Sequence, residues 1–133
     1  MTNQTVSLTA SNIRYLLAVK VLSEEGRTRC VDVARKLNVA RPSALRALEY
    51  LQSLGIFQKM PEGVWTLTEQ GWILAQKYQM YYEAVGGLFL RLLPPEADQT
   101  SLILSVLAEV PLEKMDEVCD RIRQEKQGSE ADK

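Results

Sequence analysis

Residues Val31–Leu54, VDVARKLNVARPSALRALEYLQSL, decide the fold. They read as two amphipathic helices separated by a short turn. Val31, Val33, Ala34 and Leu37 give the first helix an apolar side, Asn38 turns the chain, and Val39 lies under the turn as an apolar plug. Arg41 or Pro42 opens the second helix, since a proline is tolerated in a first turn whose N–H groups lack helical partners anyway. Leu45, Leu48 and Leu51 are spaced to pack inward, which leaves Ser43, Arg46, Ala47 and Tyr50 nearer the opposite side. Gly55 stops this helix. The pair has the form of a helix-turn-helix, its second helix carrying Arg41, Ser43 and Arg46 near the start.

Upstream, Thr9 or Ser11 can cap a helix in which Ile13, Leu16, Leu17, Val19, Val21 and Leu22 form a broad apolar face, ending at Gly26. Such breadth implies burial on more than one side. Thr28 offers an N-cap for the helix that follows. Downstream, Ile56–Lys59 and Val64–Leu67 read as short strands around the turn Pro61-Glu62-Gly63, and Thr68 begins a helix through Ile73, Leu74 and Tyr78 toward Val85. A hairpin this short is stable only against a helical core. Helix, helix-turn-helix, hairpin and helix in this order make a winged helix.

The fold class is therefore mainly α: a winged helix-turn-helix head over residues 1–77, a helical dimerisation region over 78–124 and a flexible tail over 125–133. In the second region Tyr78, Tyr81, Tyr82, Val85, Leu88, Phe89 and Leu92, with Leu90 and Leu93, give an aromatic and aliphatic surface suited to a second copy of the chain. Intramolecular core and enclosure of a small apolar ligand are the alternative uses of that surface. Gly86-Gly87 marks a kink or a close crossing of backbones. Pro94-Pro95 ends the element, Asp98 or Thr100 begins a helix through Val110, and Pro111 precedes a last helix from Leu112 to about Arg123 with Met115, Val118 and Ile122 inward. From Gln124 the chain is polar and is expected to fray.

With 133 residues, 46% of them apolar, the chain can bury a core without disulfide or metal support. Its net charge of −1 hides an asymmetry: residues 1–78 hold ten Lys/Arg against six Asp/Glu, whereas residues 79–133 hold six against eleven. A basic front half suits a surface for a polyanion. Cys30 and Cys119 lack the short spacing of a zinc site, and a cytoplasmic location with both thiols reduced is expected. No apolar run approaches membrane-spanning length; Ile103–Val110 is far too short. With no histidine, no glycine-rich phosphate loop and no nucleophile in a recognisable motif, an enzyme is not expected. No cofactor is implied.

These features point to double-stranded DNA. The second helix of the motif would enter the major groove, with Ser43 bonding a phosphate or base edge and the forked donors of Arg46 reaching guanine O6 and N7. Arg41 and Pro42 stand at the mouth of that helix, where free backbone N–H groups and a guanidinium favour a phosphate. Arg27, Thr28, Arg29 and Lys59 are candidate contacts to the adjoining backbone, and Tyr50 lies farther along the exposed side. Glu62 makes the wing tip a poor partner for phosphates, and Trp65 is expected to pack the hairpin onto the core. The alternative is a winged helix used for protein contact, its arginines serving salt bridges.

The stretch from Leu8 through Ala75 resembles the DtxR/MntR family of metal-responsive repressors. The resemblance rests on Leu8-Thr9, Tyr15-Leu16, Glu24-Glu25-Gly26, Val31 through Val39, Ser43, Arg46, Leu51, Leu54-Gly55-Ile56 and Leu67 through Gly71. It implies a winged-helix repressor that dimerises on palindromic operators. The family also holds a metal, through a first-helix acidic or methionine position, a following glutamate, a histidine beyond the wing, and a later glutamate and histidine cluster. At the corresponding places stand Ile13 and Leu17, Glu83, and Leu104, Leu107 and Ala108. A site needing imidazole and carboxylate cannot be assembled from these, so control without the family's metal, with any effector unknown, is the expectation.

Overall fold

The computed structural model describes residues 8–131. Its elements run α1 (Ala10–Glu24), α2 (Cys30–Leu37), α3 (Arg41–Ser53), β1 (Phe57–Met60), β2 (Val64–Leu67), α4 (Glu69–Leu92), α5 (Gln99–Glu109) and α6 (Leu112–Ala131). They form two compact units, one from Ser11 to Lys77 and one built on the chain from Tyr78 onward.

In the first unit the turn between α2 and α3 takes the form expected of it. Asn38 is left-handed at φ 56°, ψ 51°, a conformation that asparagine tolerates at a helix end, and Val39 N–H returns to Ala34 O at 3.0 Å. Arg14 reaches across from α1 and donates from Nη2 to Leu37 O at 2.9 Å, satisfying a carbonyl at the end of α2. The start of α2 differs from expectation by one residue. Its N-cap is Arg29, whose N–H donates to the Asp32 carboxylate at 3.1 Å; Thr28 instead takes the Trp65 N–H on its carbonyl at 2.9 Å. With Arg29 bridging Val64, this ties the wing to the segment that feeds α2.

On α3 the buried positions are Ala44, Leu48 and Leu51. This corrects the inward assignment of Leu45, which is 37% exposed. The i, i+4, i+7 row follows the 3.6-residue period, whereas the leucine at 45 lies a residue out of phase and the smaller Ala44 takes the core position.

The hairpin pairs Phe57 with Leu67 through Met60 with Val64, antiparallel, around a Pro61–Gly63 turn in which Glu62 and Gly63 both have positive φ. Phe57, Trp65 and Leu67 are buried, so one face of the wing joins the core and Trp65 packs as expected. The entry to α4 is tightly built. Thr68 Oγ1 donates toward Gly55 O at 2.6 Å and accepts from Gly71 N at 3.0 Å, while a Cβ at Gly71 would fall 2.0 Å from Ile56 O. Only glycine fits there. Lys20 is buried on α1, its ammonium 5.8 Å from the Trp72 ring and 3.5 Å from Glu24. Both contacts keep that charge partnered where water is scarce.

In the second unit α4 runs without interruption through Gly86-Gly87. At Gly86 the Ile103 side chain of α5 comes within 3.3 Å of where a Cβ would stand, so the close neighbour is a side chain and not the crossing backbone expected from the sequence. Asp98 caps α5 through Ser101 N–H at 3.1 Å. Tyr78, Tyr81 and Val85 are buried within the chain, correcting their placement on a partner surface. Tyr81 donates to Asp116 Oδ1 at 2.9 Å and stacks edge-on with Tyr78 at 6.3 Å. Burial, reinforced by the Asp116 bond, holds the Tyr81 hydroxyl far above its ordinary pKa. Tyr82, Leu88 and Phe89 are half-buried, and Leu92 is exposed.

Val85, Leu88, Phe89, Val106, Val118 and Ile122, with Arg121 and Glu125, line an apolar groove of about 380 Å³ in this unit. Met115 and Cys119 are buried on α6, and burial pushes the Cys119 thiol up. Cys30 and Cys119 are both free thiols. The helix α6 continues to Ala131, well past the end expected near Arg123.

Candidate nucleic-acid interface

The interface is built from α3 outward. With Ala44, Leu48 and Leu51 turned to the core, a rotation of 100° per residue centres the opposite side on Pro42, Arg46, Glu49 and Ser53. All four are exposed. Ser43, half-buried, and Tyr50, 50% exposed, flank them on one side, and Leu45 on the other. Arg46 is steadied by the i, i+3 neighbour Ser43, Nη2 to Oγ at 3.5 Å, a contact long enough to leave the guanidinium free to re-aim.

The helix is presented with its N-terminus uncovered. Its N-cap is Ala40, which supplies no side-chain acceptor, and Arg41 is exposed in the first turn. The uncapped N–H groups and the guanidinium together make an anion-favouring end. Arg41 O accepts a weak bond from the Cys30 thiol at 3.6 Å, which links the first turns of α2 and α3.

Of the remaining candidates, Arg27 and Arg29 are exposed on the approach to α2, and neither they nor Arg41 and Arg46 form a salt bridge among the described residues. Lys59 is exposed on the wing with its ammonium 5.6 Å from the Trp65 ring centre. Thr28 is 3% exposed, so the expected clamp on a passing backbone is not available to it; it belongs to the seam between α2 and the wing. Three residues of this surface are not among those expected from the sequence: Leu45, which a plausible leucine row places inward, and Glu49 and Ser53, which carry no local signal that separates them from ordinary solvated positions.

The positions that the resemblance assigns to a metal do not fit one. Ile13, Leu104 and Leu107 are buried apolar residues, Leu17 is half-buried, and exposed Glu83 is hydrogen-bonded to Gln79 at 3.3 Å. Among the described residues no three His, Cys, Asp or Glu side chains gather as a metal site.

The chain is 37% identical over 71 residues to proteins named Transcriptional regulator MntR from Salmonella typhimurium and Salmonella typhi. Over that stretch the chain is similar to these two proteins. The match covers 53% of this chain and 45% of each relative, so the chain spans just under half the length of the curated relatives it matches. No family model matches it.

Solved structures share the fold. The hypothetical protein SSo2273 from Sulfolobus solfataricus superposes with a TM-score of 0.64 at 17% identity, over 86% of this chain and 89% of that one. T. acidophilum IdeR gives 0.63 at 22% identity, over 82% of this chain and 52% of its own. The manganese regulator SloR gives 0.64 at 22%, over 82% and 53%. No helix among the described residues is long and apolar enough to cross a membrane.

Proposed function

We propose that this chain is a sequence-specific double-stranded DNA-binding transcriptional regulator, acting as a homodimer on a palindromic operator and without metal control. The observation that carries the reading is the outward face of α3, where Arg41 and Arg46 are exposed and, among the described residues, in no salt bridge, beside a helix N-terminus without a side-chain cap. The likeness to relatives named as transcriptional regulators supports it.

In this reading the N-terminal turns of α3 enter the major groove. Arg46 supplies two donors for guanine O6 and N7, and Ser43 binds a phosphate or base edge. Arg41, with the free N–H groups around it, takes a phosphate, while Arg27, Arg29 and Lys59 hold the adjoining backbone. Tyr50 offers its exposed ring and hydroxyl on the flank of the same helix. Catalysis has no part in this scheme. An electrophoretic shift of duplex pools at low salt tests it; protein indifferent to every duplex would overturn it.

Dimerisation is assigned to the second unit, through the apolar groove of Leu88 and Phe89 and the exposed Leu92. Two copies would present their α3 helices to half-sites about one DNA turn, ~34 Å, apart. Leu92 is 67% exposed, so Leu92→Asp leaves the chain folded while placing a charge in the interface. Sedimentation equilibrium is expected to show dimerisation weakened at least about tenfold, the scale of losing a buried leucine. An unchanged dimer would move the interface elsewhere. The groove volume of about 380 Å³ also lies in the range of small-ligand pockets, which favours an apolar effector as the second reading.

A further inference from the structure

We propose that Glu49 is a specificity-determining residue, accepting the N4 amino group of a cytosine in the half-site that Arg46 reads. The inference rests on the DNA-binding reading above and goes beyond it by assigning a base to a residue that reading leaves unused.

Glu49 stands on the outward side of α3 with Arg46, three residues and less than one helical turn away. It is exposed, and among the described residues it has no salt bridge, including none to Arg46. A carboxylate so placed is a liability on a surface that meets phosphates, because it repels the polyanion and loses hydration in the groove. It becomes favourable only opposite a donor. Among major-groove base edges the N4 amino of cytosine and the N6 amino of adenine are donors, whereas guanine O6 and N7 and thymine O4 are acceptors. Adenine presents its N7 acceptor beside N6, which a carboxylate meets unfavourably and an amide side chain meets well. Cytosine has no such neighbour.

The spacing is compatible with both contacts at once. Arg46 and Glu49 are separated by about 4.5 Å along the helix axis, and base pairs by about 3.4 Å along DNA. With α3 lying along the groove, the cytosine would be one or two steps from the guanine. The acid would reject wrong sequences by repulsion as much as it selects the right one by bonding, so discrimination exceeds what it adds to affinity.

The test compares the full chain with Glu49→Ala and Glu49→Gln on duplexes enriched from a random pool by the wild type, with binding titrated on single-base variants of the winning site. Alanine favours a helix and the position is exposed, so the variants keep their circular dichroism spectrum. For the wild type, replacing the cytosine with thymine should weaken binding about tenfold or more, within the range of a good base contact. Glu49→Ala should cut that penalty to about twofold or less while leaving the guanine preference intact and tightening binding to unrelated duplexes. Glu49→Gln should accept adenine at the same position.

Equal tightening of Glu49→Ala on every duplex, with the base profile unchanged, would show a merely solvated acid and overturn the assignment alone. A wild-type protein that selects no sequence would overturn both the DNA-binding reading and this inference.

Discussion

Gly71→Ala is expected to lower the stability of the head more than alanine at any other of its glycines, by about 2 kcal/mol or more. The added Cβ would stand 2.0 Å from Ile56 O and 3.0 Å from Ile56 C, both backbone atoms, and 3.3 Å from a Leu67 methyl. Overpacking of this kind ordinarily costs about 1–3 kcal/mol, and here the obstacle cannot rotate away. The intrinsic gain of alanine over glycine in a helix, about 1 kcal/mol, offsets only part of it. Moving α4 to relieve the clash would also disturb the Thr68 bonds to Gly55 O and Gly71 N.

The control lies on the same helix. Gly87 has nothing within 4 Å of its Cβ position, so Gly87→Ala should gain up to about 1 kcal/mol. Thermal melts of the two variants should shift in opposite directions, Gly71→Ala downward by about 5 °C or more. A Gly71→Ala protein as stable as its parent would mean that α4 does not enter the fold across the Ile56 carbonyl.

The second large effect is on binding. Arg46 is exposed, central on the outward side of α3 and, among the described residues, held only by its long contact to Ser43, so Arg46→Ala leaves the core untouched. Loss of a forked contact to guanine should weaken binding to a selected site by about 1–3 kcal/mol per half-site, roughly 5- to 150-fold, and relax the base preference at that one position. Arg41→Ala should behave differently. A phosphate contact carries no base identity, so its loss weakens binding on all sequences alike and lowers the salt dependence by about one ion. Gel-shift titrations at three salt concentrations separate the two, and a uniform loss for Arg46→Ala would assign that side chain to the backbone.

The head was largely legible because its punctuation is chemical. Asn38, Pro42, Gly55 and the Pro61–Gly63 turn each sit where a left-handed residue, a first helical turn or a hairpin requires them. The hairpin register follows from Phe57, Trp65 and Leu67, which can all be buried only in one pairing. What escaped reading depended on partners remote in sequence. Arg14 capping Leu37 and Lys20 beneath Trp72 leave no local pattern.

Other misses were errors of phase or of extent. The row of Leu45, Leu48 and Leu51 is as hydrophobic as the true row of Ala44, Leu48 and Leu51, and only the helical period separates them. Tyr78 and Tyr81 sit on a helix whose burial depends on α5 and α6, whose placement no local pattern gives. The helix α6 outlasts the expected end near Arg123 because residues 124–131, although polar, are rich in Gln, Glu and Lys, which sustain a helix.

Sequence-specific DNA binding without metal control is tested most directly by selecting duplexes from a random pool with the wild-type chain and titrating the enriched duplex with and without EDTA. Expected are one enriched palindromic motif, affinity that falls steeply with salt and an identical titration in chelator. No enrichment at low salt, or binding abolished by EDTA and restored by manganese, would contradict the claim.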